Sequence, residues 1–406
     1  MGANSHLDHI MKLPTIPSAR LALLAVATTC FLVDTASAQR DGKPVQREDT
    51  HDKGAKVKAT EVSADPQADE SAKEKALLAM PNPQMKAVLD KLGELKGKPL
   101  PSLSPADARD QPTPADAVKL VMKDQNKEGP EKVGKVDDID IKFSTGQVKG
   151  RVYKPEGEGP FPVILYIHGG GWVIADLDTY DATPRALCNA VNAVVVSTHY
   201  RQAPEHHFPA AHEDVFGSYQ WTLENAGKWG GNTKEIAVVG ESAGGNMALS
   251  LSMMAQAKGM QMPLHQVLVY PVASTSMDTE SYRENAVAKP LNAALMKWFF
   301  DHTLSQEEDW KNSQINLLGA KTLKGMPPAT IITADIDPLR SEGEALAKKL
   351  QQDGVTVSYR NYEGVTHEFF GMGAVVDKAR EAMDFVAGNL KQAFDEDTAS
   401  GHPAGK

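Results

Sequence analysis

Cysteine is scarce in this chain, with two residues in 406, Cys30 and Cys188. A disulfide framework is therefore excluded as the source of stability. Positive charge is also short, with 43 Lys and Arg against 53 Asp and Glu and a formal net charge of −10. No basic face emerges to neutralise phosphates, which argues against a nucleic-acid partner and against tight binding to anionic membranes. The longest apolar run, residues 21–33, is too short to span a bilayer. His206, His207 and His212 lie close together, but no carboxylate or cysteine set completes a zinc geometry around them, and no metal is expected. What remains, 41% hydrophobic and 24% charged, is the composition of an ordinary globular protein.

The N-terminus reads as an address. Lys12 and Arg20 precede the apolar run, and Ala36-Ser37-Ala38 follows it as a small-residue cleavage site. Residues 1–38 are thus expected to be a signal peptide, with Met11 as an alternative start because Asp8 sits awkwardly in a positive leader. Export to the periplasm or the medium follows, with no stable membrane anchor after cleavage. Thr29 before Cys30 does not fit a lipoprotein signal. Residues 39–76 are polar and lack aromatics, so they are expected to be a flexible linker.

Beyond the linker the pattern becomes helical. Met85, Val88, Leu89 and Leu92 recur at helical spacing, as do Ala115, Val118, Val121 and Met122. Residues 77–135 read as helices of an N-terminal cap, interrupted by a Pro-rich stretch at 98–114. From 136 short β-rich runs alternate with helical ones. Residues 139–143 and 150–153 read as a hairpin, and 163–167, 193–196, 236–239, 267–270, 329–332 and 355–357 as further strands. Several are apolar on both faces, which predicts a mostly parallel sheet flanked by helices, an α/β fold. Helices are expected at 210–224, 244–258, 339–352 and 375–390. The segment at about 274–323 breaks this rhythm and reads as a second cap piece inside a catalytic domain of 136–392. The polar stretch 393–406 is expected to be a flexible tail.

Two motifs carry the chemistry. Gly240-Glu241-Ser242-Ala243-Gly244-Gly245 follows a strand and opens a helix, the context in which G-x-S-x-G holds a serine hydroxyl exposed on a sharp turn. His168-Gly169-Gly170-Gly171-Trp172 follows another strand. Three successive glycines make sense where backbone N–H groups must crowd a ligand oxygen. Gly169, Gly170 and Gly171 with Ala243 are the candidate oxyanion hole, each donor being worth roughly 3–4 kcal/mol to a tetrahedral intermediate. A nucleophile at Ser242 then needs an acid and a histidine later in the chain. Before the tail, His265, His302 and His367 follow it, and His367 alone stands in a loop after a strand. Asp335 and Asp337 both follow the strand at 329–332, and Pro338 favours Asp337 as the loop-end acid. Trp172, Glu241, Trp298 and Phe370 are the candidate substrate contacts, with Phe299 beside them, although such aromatics serve equally well as core.

Together these residues resemble the hormone-sensitive-lipase-like esterases of the α/β-hydrolase superfamily over residues 81–390. The likeness rests on H-G-G-G-W, on Tyr200-Arg201-Gln202-Ala203-Pro204-Glu205-His206, on G-E-S-A-G-G, on Asp337-Pro338-Leu339 and on the His367 loop. It implies an α/β-hydrolase fold with a helical cap, a triad of Ser242, Asp337 and His367, and oxyanion donors chiefly from Gly170, Gly171 and Ala243. It also implies hydrolysis of short- to medium-chain acyl esters without a cofactor. The expected partner is a small-molecule ester, and self-association as a homodimer is left open. Glu241 and His207 depart from the family's frequent Asp and Pro. Two rivals remain: another acyl bond, such as an amide, a carbonate or a sugar acetate, and a binding protein on a decayed hydrolase scaffold. The second is disfavoured because His367 is present.

Overall fold

In the computed structural model the described residues are 80–399, apart from Glu128 and Thr145. The expected leader and linker lie outside them, as does the chain after 399. Eight strands form one sheet in the order β1-β2-β4-β3-β5-β6-β7-β8. β1 (Lys135–Phe143) and β2 (Gly146–Lys154) are the expected hairpin. β2 also pairs antiparallel with β4 (Val194–Thr198). From β4 onward every pairing is parallel, through β3 (Phe161–Ile167), β5 (Gly231–Glu241), β6 (His265–Val269), β7 (Ala329–Ile336) and β8 (Val357–Thr366).

The two-faced apolar strands have a direct cause. Val163, Leu165 and Ile167 of β3 point into one core, while Ile164 and Tyr166 point into another. The first core is closed by α5 (Ala210–Asn225), α6 (Ala243–Ala257) and α9 (Arg340–Gln352), through Val215, Leu249 and Leu346. The second is closed by α4 (Ala182–Val191) and α10 (Asp377–Ala399), through Leu187, Val386 and Leu390. A strand covered on both sides has no polar face to alternate with.

Three boundaries differ from the sequence expectation. The pattern gave no helix at α4, which is short and carries Thr183-Pro184 in its first turn. β8 continues well past 357 to Thr366, because at the sheet edge it can carry Ser358, Arg360, Asn361 and Glu363, which mask a strand pattern. α10 runs on to Ala399 and buries Phe394, so a flexible tail does not begin at 393.

The N-terminal segment supplies α1 (Pro83–Glu94), α2 (Pro105–Arg109) and α3 (Pro114–Asp124). Each begins with proline after a capping side chain: Asn82, Ser104 and Thr113 accept from backbone N–H groups of the first turn. α1 is fastened beside the end of β8, where the Asn82 N–H donates to the Gly364 carbonyl at 2.8 Å. Between β6 and β7 the chain leaves the sheet to form α7 (Glu280–Glu284) and α8 (Ala293–Thr303). Among the described residues no helix is long and apolar enough to cross a membrane.

Candidate active site

β5 ends at Glu241, α6 begins at Ala243, and Ser242 between them is held at φ 58° and ψ −117°. A non-glycine residue at positive φ is strained, a state that persists only where its surroundings impose it. The flanking glycines impose it. A Cβ on Gly240 would lie 2.1 Å from the Gly244 carbonyl oxygen, and one on Gly244 would lie 2.1 Å from that of Ile167. The turn closes only if both lack side chains, and it brings the start of α6 against the end of β3.

The Ser242 Oγ lies 3.0 Å from Nε2 of His367, and His367 Nδ1 lies 2.6 Å from Oδ2 of Asp337. His367 directly follows β8, and Asp337 directly follows β7. Asp337 is fully buried, and its second oxygen accepts from the Leu339 N–H at 2.8 Å. Asp335, the other acid suggested by sequence, is instead engaged by Arg340 at 3.1 Å. Of the remaining histidines, His265 bonds Thr330 at 2.8 Å within the sheet and His302 bonds the Trp298 carbonyl at 2.8 Å. Burial pushes the His367 pKa down, but Asp337, by charge and hydrogen bond, together with Glu368 and Glu241, lifts it above 6.5. Imidazolium is stabilised here, as a proton acceptor for Ser242 requires.

The glycine loop follows β3. Gly170 has φ +94° and Gly171 φ +57°; a Cβ on Gly171 would strike the Phe299 ring at 2.2 Å. The Gly169 carbonyl accepts from the Tyr200 hydroxyl at 2.7 Å and lies 2.8 Å from His168 Nδ1. The N–H groups of Gly170 and Gly171 donate to nothing among the described residues. That of Ala243, first in its helix, has no intrahelical partner.

A cavity of about 340 Å³ opens above Ser242 and His367. Its apolar wall comes from the N-terminal segment, with Leu100 and Ala108, and from the segment after β6, with Leu291, Leu295 and Phe299. Most of the substrate contacts expected from sequence lie elsewhere. Trp172 is turned inward, against Phe300 and His212 at ring distances of 6.1 and 6.4 Å. Trp298 is buried and packs on Phe299 and His302. Phe370 faces a larger groove between α3, α4 and α10, which adjoins the cavity and shares Pro114, Thr179, Tyr180 and Glu368 with it. Glu241 is buried and is not among the residues that line the cavity. Tyr166 donates to it at 2.5 Å, Tyr270 donates to its other oxygen, and burial with the nearby Glu368 charge raises its pKa to about 7. Adjacency in sequence misled here, because the Glu241 carboxylate is buried and taken up by two tyrosine hydroxyls.

Three lining residues escaped the sequence reading. Glu368 follows His367, and its Oε1 lies 3.8 Å from His367 Nε2 and accepts from the Tyr180 hydroxyl at 2.6 Å. Tyr180 also explains Gly169, since a Cβ there would lie 2.4 Å from the same hydroxyl. Arg109 of α2 reaches the Val173 carbonyl at 2.8 Å and Glu205 at 2.7 and 2.8 Å, tying the N-terminal helices to the segment behind the glycine loop. Only position beside the candidate histidine marked Glu368, and nothing local marked the other two. Among the described residues no group of three or more His, Cys, Asp or Glu is placed to hold a metal; His212, for example, is buried against Asn246 at 3.0 Å.

Known proteins are similar to this chain in sequence and fold. Residues 164–371 match the profile of a family described as the alpha/beta hydrolase fold. Carboxylesterase NlhH of Mycobacterium tuberculosis is 36% identical over 255 residues, covering 60% of this chain and 78% of that protein. The ethyl acetate hydrolase of Pseudomonas putida is 32% identical over 246 residues, covering 60% and 77%. A solved esterase of Pyrobaculum calidifontis superposes with a TM-score of 0.68 at 34% identity, over 74% of this chain and 97% of its own. With the parallel sheet and the serine turn already described, these likenesses establish that the chain is a carboxylic ester hydrolase and belongs to the hormone-sensitive-lipase-like esterases of the α/β-hydrolase superfamily.

Proposed function

We propose that the chain cleaves short- to medium-chain acyl esters through an acyl-enzyme on Ser242, with His367 as base and Asp337 as its orienting acid. The observation that carries this is the hydrogen-bonded line from Ser242 through His367 to Asp337, at 3.0 and 2.6 Å, on the floor of a largely apolar cavity. As the Ser242 Oγ adds to the ester carbonyl, its proton passes to His367 Nε2, and Asp337 holds the Nδ1–H and balances the imidazolium charge. The carbonyl oxygen becomes an oxyanion, for which the unpaired N–H groups of Gly170, Gly171 and Ala243 are the available donors, with Gly169 fixing the loop. His367 returns the proton to the departing alcohol. A water deprotonated at the same Nε2 then frees the acid and restores Ser242. The cavity's size, at the small end of the range of about 300–1,000 Å³ for ligand pockets, favours short acyl groups.

Hydrolysis of p-nitrophenyl esters from acetate to palmitate, measured beside Ser242→Ala, tests this reading. The expected result is activity on short chains, fading as the chain outgrows the cavity and absent in the variant. A peak at palmitate would overturn the chain-length assignment, and full activity in Ser242→Ala would overturn the nucleophile.

A further inference from the structure

The cavity at Ser242 is apolar over much of its wall, but it is not neutral. Its one Lys or Arg side chain among the described residues is Arg109, against two carboxylates, Asp176 and Glu368. Arg109 is fully engaged: both terminal nitrogens hold Glu205, one of them also holds the Ala203 carbonyl at 2.9 Å, and Nε holds that of Val173. Its charge is therefore matched by a carboxylate outside the lining. His199 adds no charge, since burial pushes its pKa down, and its Nδ1 lies 2.9 Å from His168 Nε2. Asp176 receives the N–H groups of Asp178 and Thr179 and the Thr179 hydroxyl on one oxygen.

Glu368 is the carboxylate nearest the reacting atoms. Its backbone is held at φ 72°, a left-handed conformation in which glutamate is uncommon. Its side chain lines both the cavity and the adjoining groove and is 22% exposed. One oxygen accepts from Tyr180, and the other accepts no hydrogen bond among the described residues. A carboxylate with a free oxygen, a few ångströms from the base and with no Lys or Arg hydrogen-bonded to it, favours positive charge on a bound ligand and repels negative charge.

Resting on Ser242 as the nucleophile, we propose that Glu368 selects substrate by charge. The site takes esters carrying an ammonium group near the scissile bond in preference to neutral isosteres, and rejects esters that carry a carboxylate there. Asp176 adds to the same field from the cavity wall.

The test compares kcat/KM for three acetate esters, those of choline, of its neutral isostere 3,3-dimethylbutanol and of glycolate, at one pH on the alkaline plateau of the wild-type pH profile. The order cationic, neutral, anionic is expected, with the cationic ester ahead of the anionic one by about tenfold or more, the scale of one partly solvated charge pair. In Glu368→Gln, which retains an oxygen for Tyr180, the ratio should fall toward one. Because it is taken within a single protein, any effect of the substitution on His367 cancels. In the wild-type chain the ratio should also shrink as salt is raised, which requires no variant to fold. A ratio that is the same in wild type and Glu368→Gln, or a wild type that prefers the glycolate ester, overturns the proposal while hydrolysis of the neutral ester leaves the nucleophile assignment standing. A wild-type chain that cleaves none of the three, nor p-nitrophenyl acetate, overturns both.

Discussion

Replacing Gly170 by alanine probes the glycine loop with the least chemistry. At φ +94° an L-residue is strained by roughly 1–2 kcal/mol before any contact is counted. The added Cβ would lie 2.2 Å from the Ile174 carbonyl oxygen and 2.9 Å from the Ala175 Cβ. That carbonyl cannot simply retreat, because Gln202 Nε2 donates to it at 2.8 Å. The Ile174 N–H in turn donates to the Gly170 carbonyl at 3.0 Å, so the two residues are bound in one tight turn. Relief to ordinary contact needs a shift of roughly 1 Å, and the more weakly held partner is the loop with its free N–H groups. Misplacing one oxyanion donor costs about 10²–10³ in kcat. The expected outcome is therefore a fall of roughly two orders of magnitude in kcat on p-nitrophenyl butyrate with KM little changed. The assay is steady-state kinetics beside thermal unfolding. Gly388→Ala serves as control, since its Cβ would meet nothing within 4 Å. A folded Gly170→Ala chain with kcat within a few-fold of wild type would refute the assignment of the loop.

Two further outcomes follow from the buried charges. His367 must be neutral to accept a proton and its pKa lies above 6.5, so kcat/KM should rise with pH through a midpoint above that value; a profile flat down to about pH 4 would contradict His367 as base. Glu241 has its folded pKa raised from 4.5 to about 7, so between those values the folded chain holds a proton that the unfolded chain has released. Its contribution to stability is lost as pH rises through that window. Glu241→Gln should thus gain on wild type between about pH 5 and pH 8 by up to about 3 kcal/mol, read from denaturant unfolding. An offset independent of pH would refute the assignment.

The sheet was legible because parallel strands covered on both faces leave short apolar runs, as at 163–167 and 236–239, and because Gly240, Gly244 and the 169–171 glycines mark places where a Cβ has no room. Chain order then limited the candidate acid and histidine to a few residues. The cavity wall was not legible in the same way. Trp172 and Trp298 are large and sit near motifs, but their rings pack against other rings, while the wall is built from residues such as Leu100, Leu291 and Leu295, whose local sequence carries no mark of a site. Arg109 stands 64 positions from the Val173 carbonyl it holds, a contact that no local pattern encodes. Glu241 shows the reverse failure: its place beside Ser242 in sequence is real, and its buried carboxylate is taken up by Tyr166 and Tyr270 instead.

The measurement that bears most directly on the account is the site of covalent modification by diethyl p-nitrophenyl phosphate, mapped by peptide mass spectrometry alongside loss of esterase activity. The account predicts a single phosphoryl adduct on Ser242, formed in step with inactivation and slowed in Asp337→Asn. Inactivation with Ser242 unmodified, or full ester hydrolysis after Ser242 is modified, would contradict it.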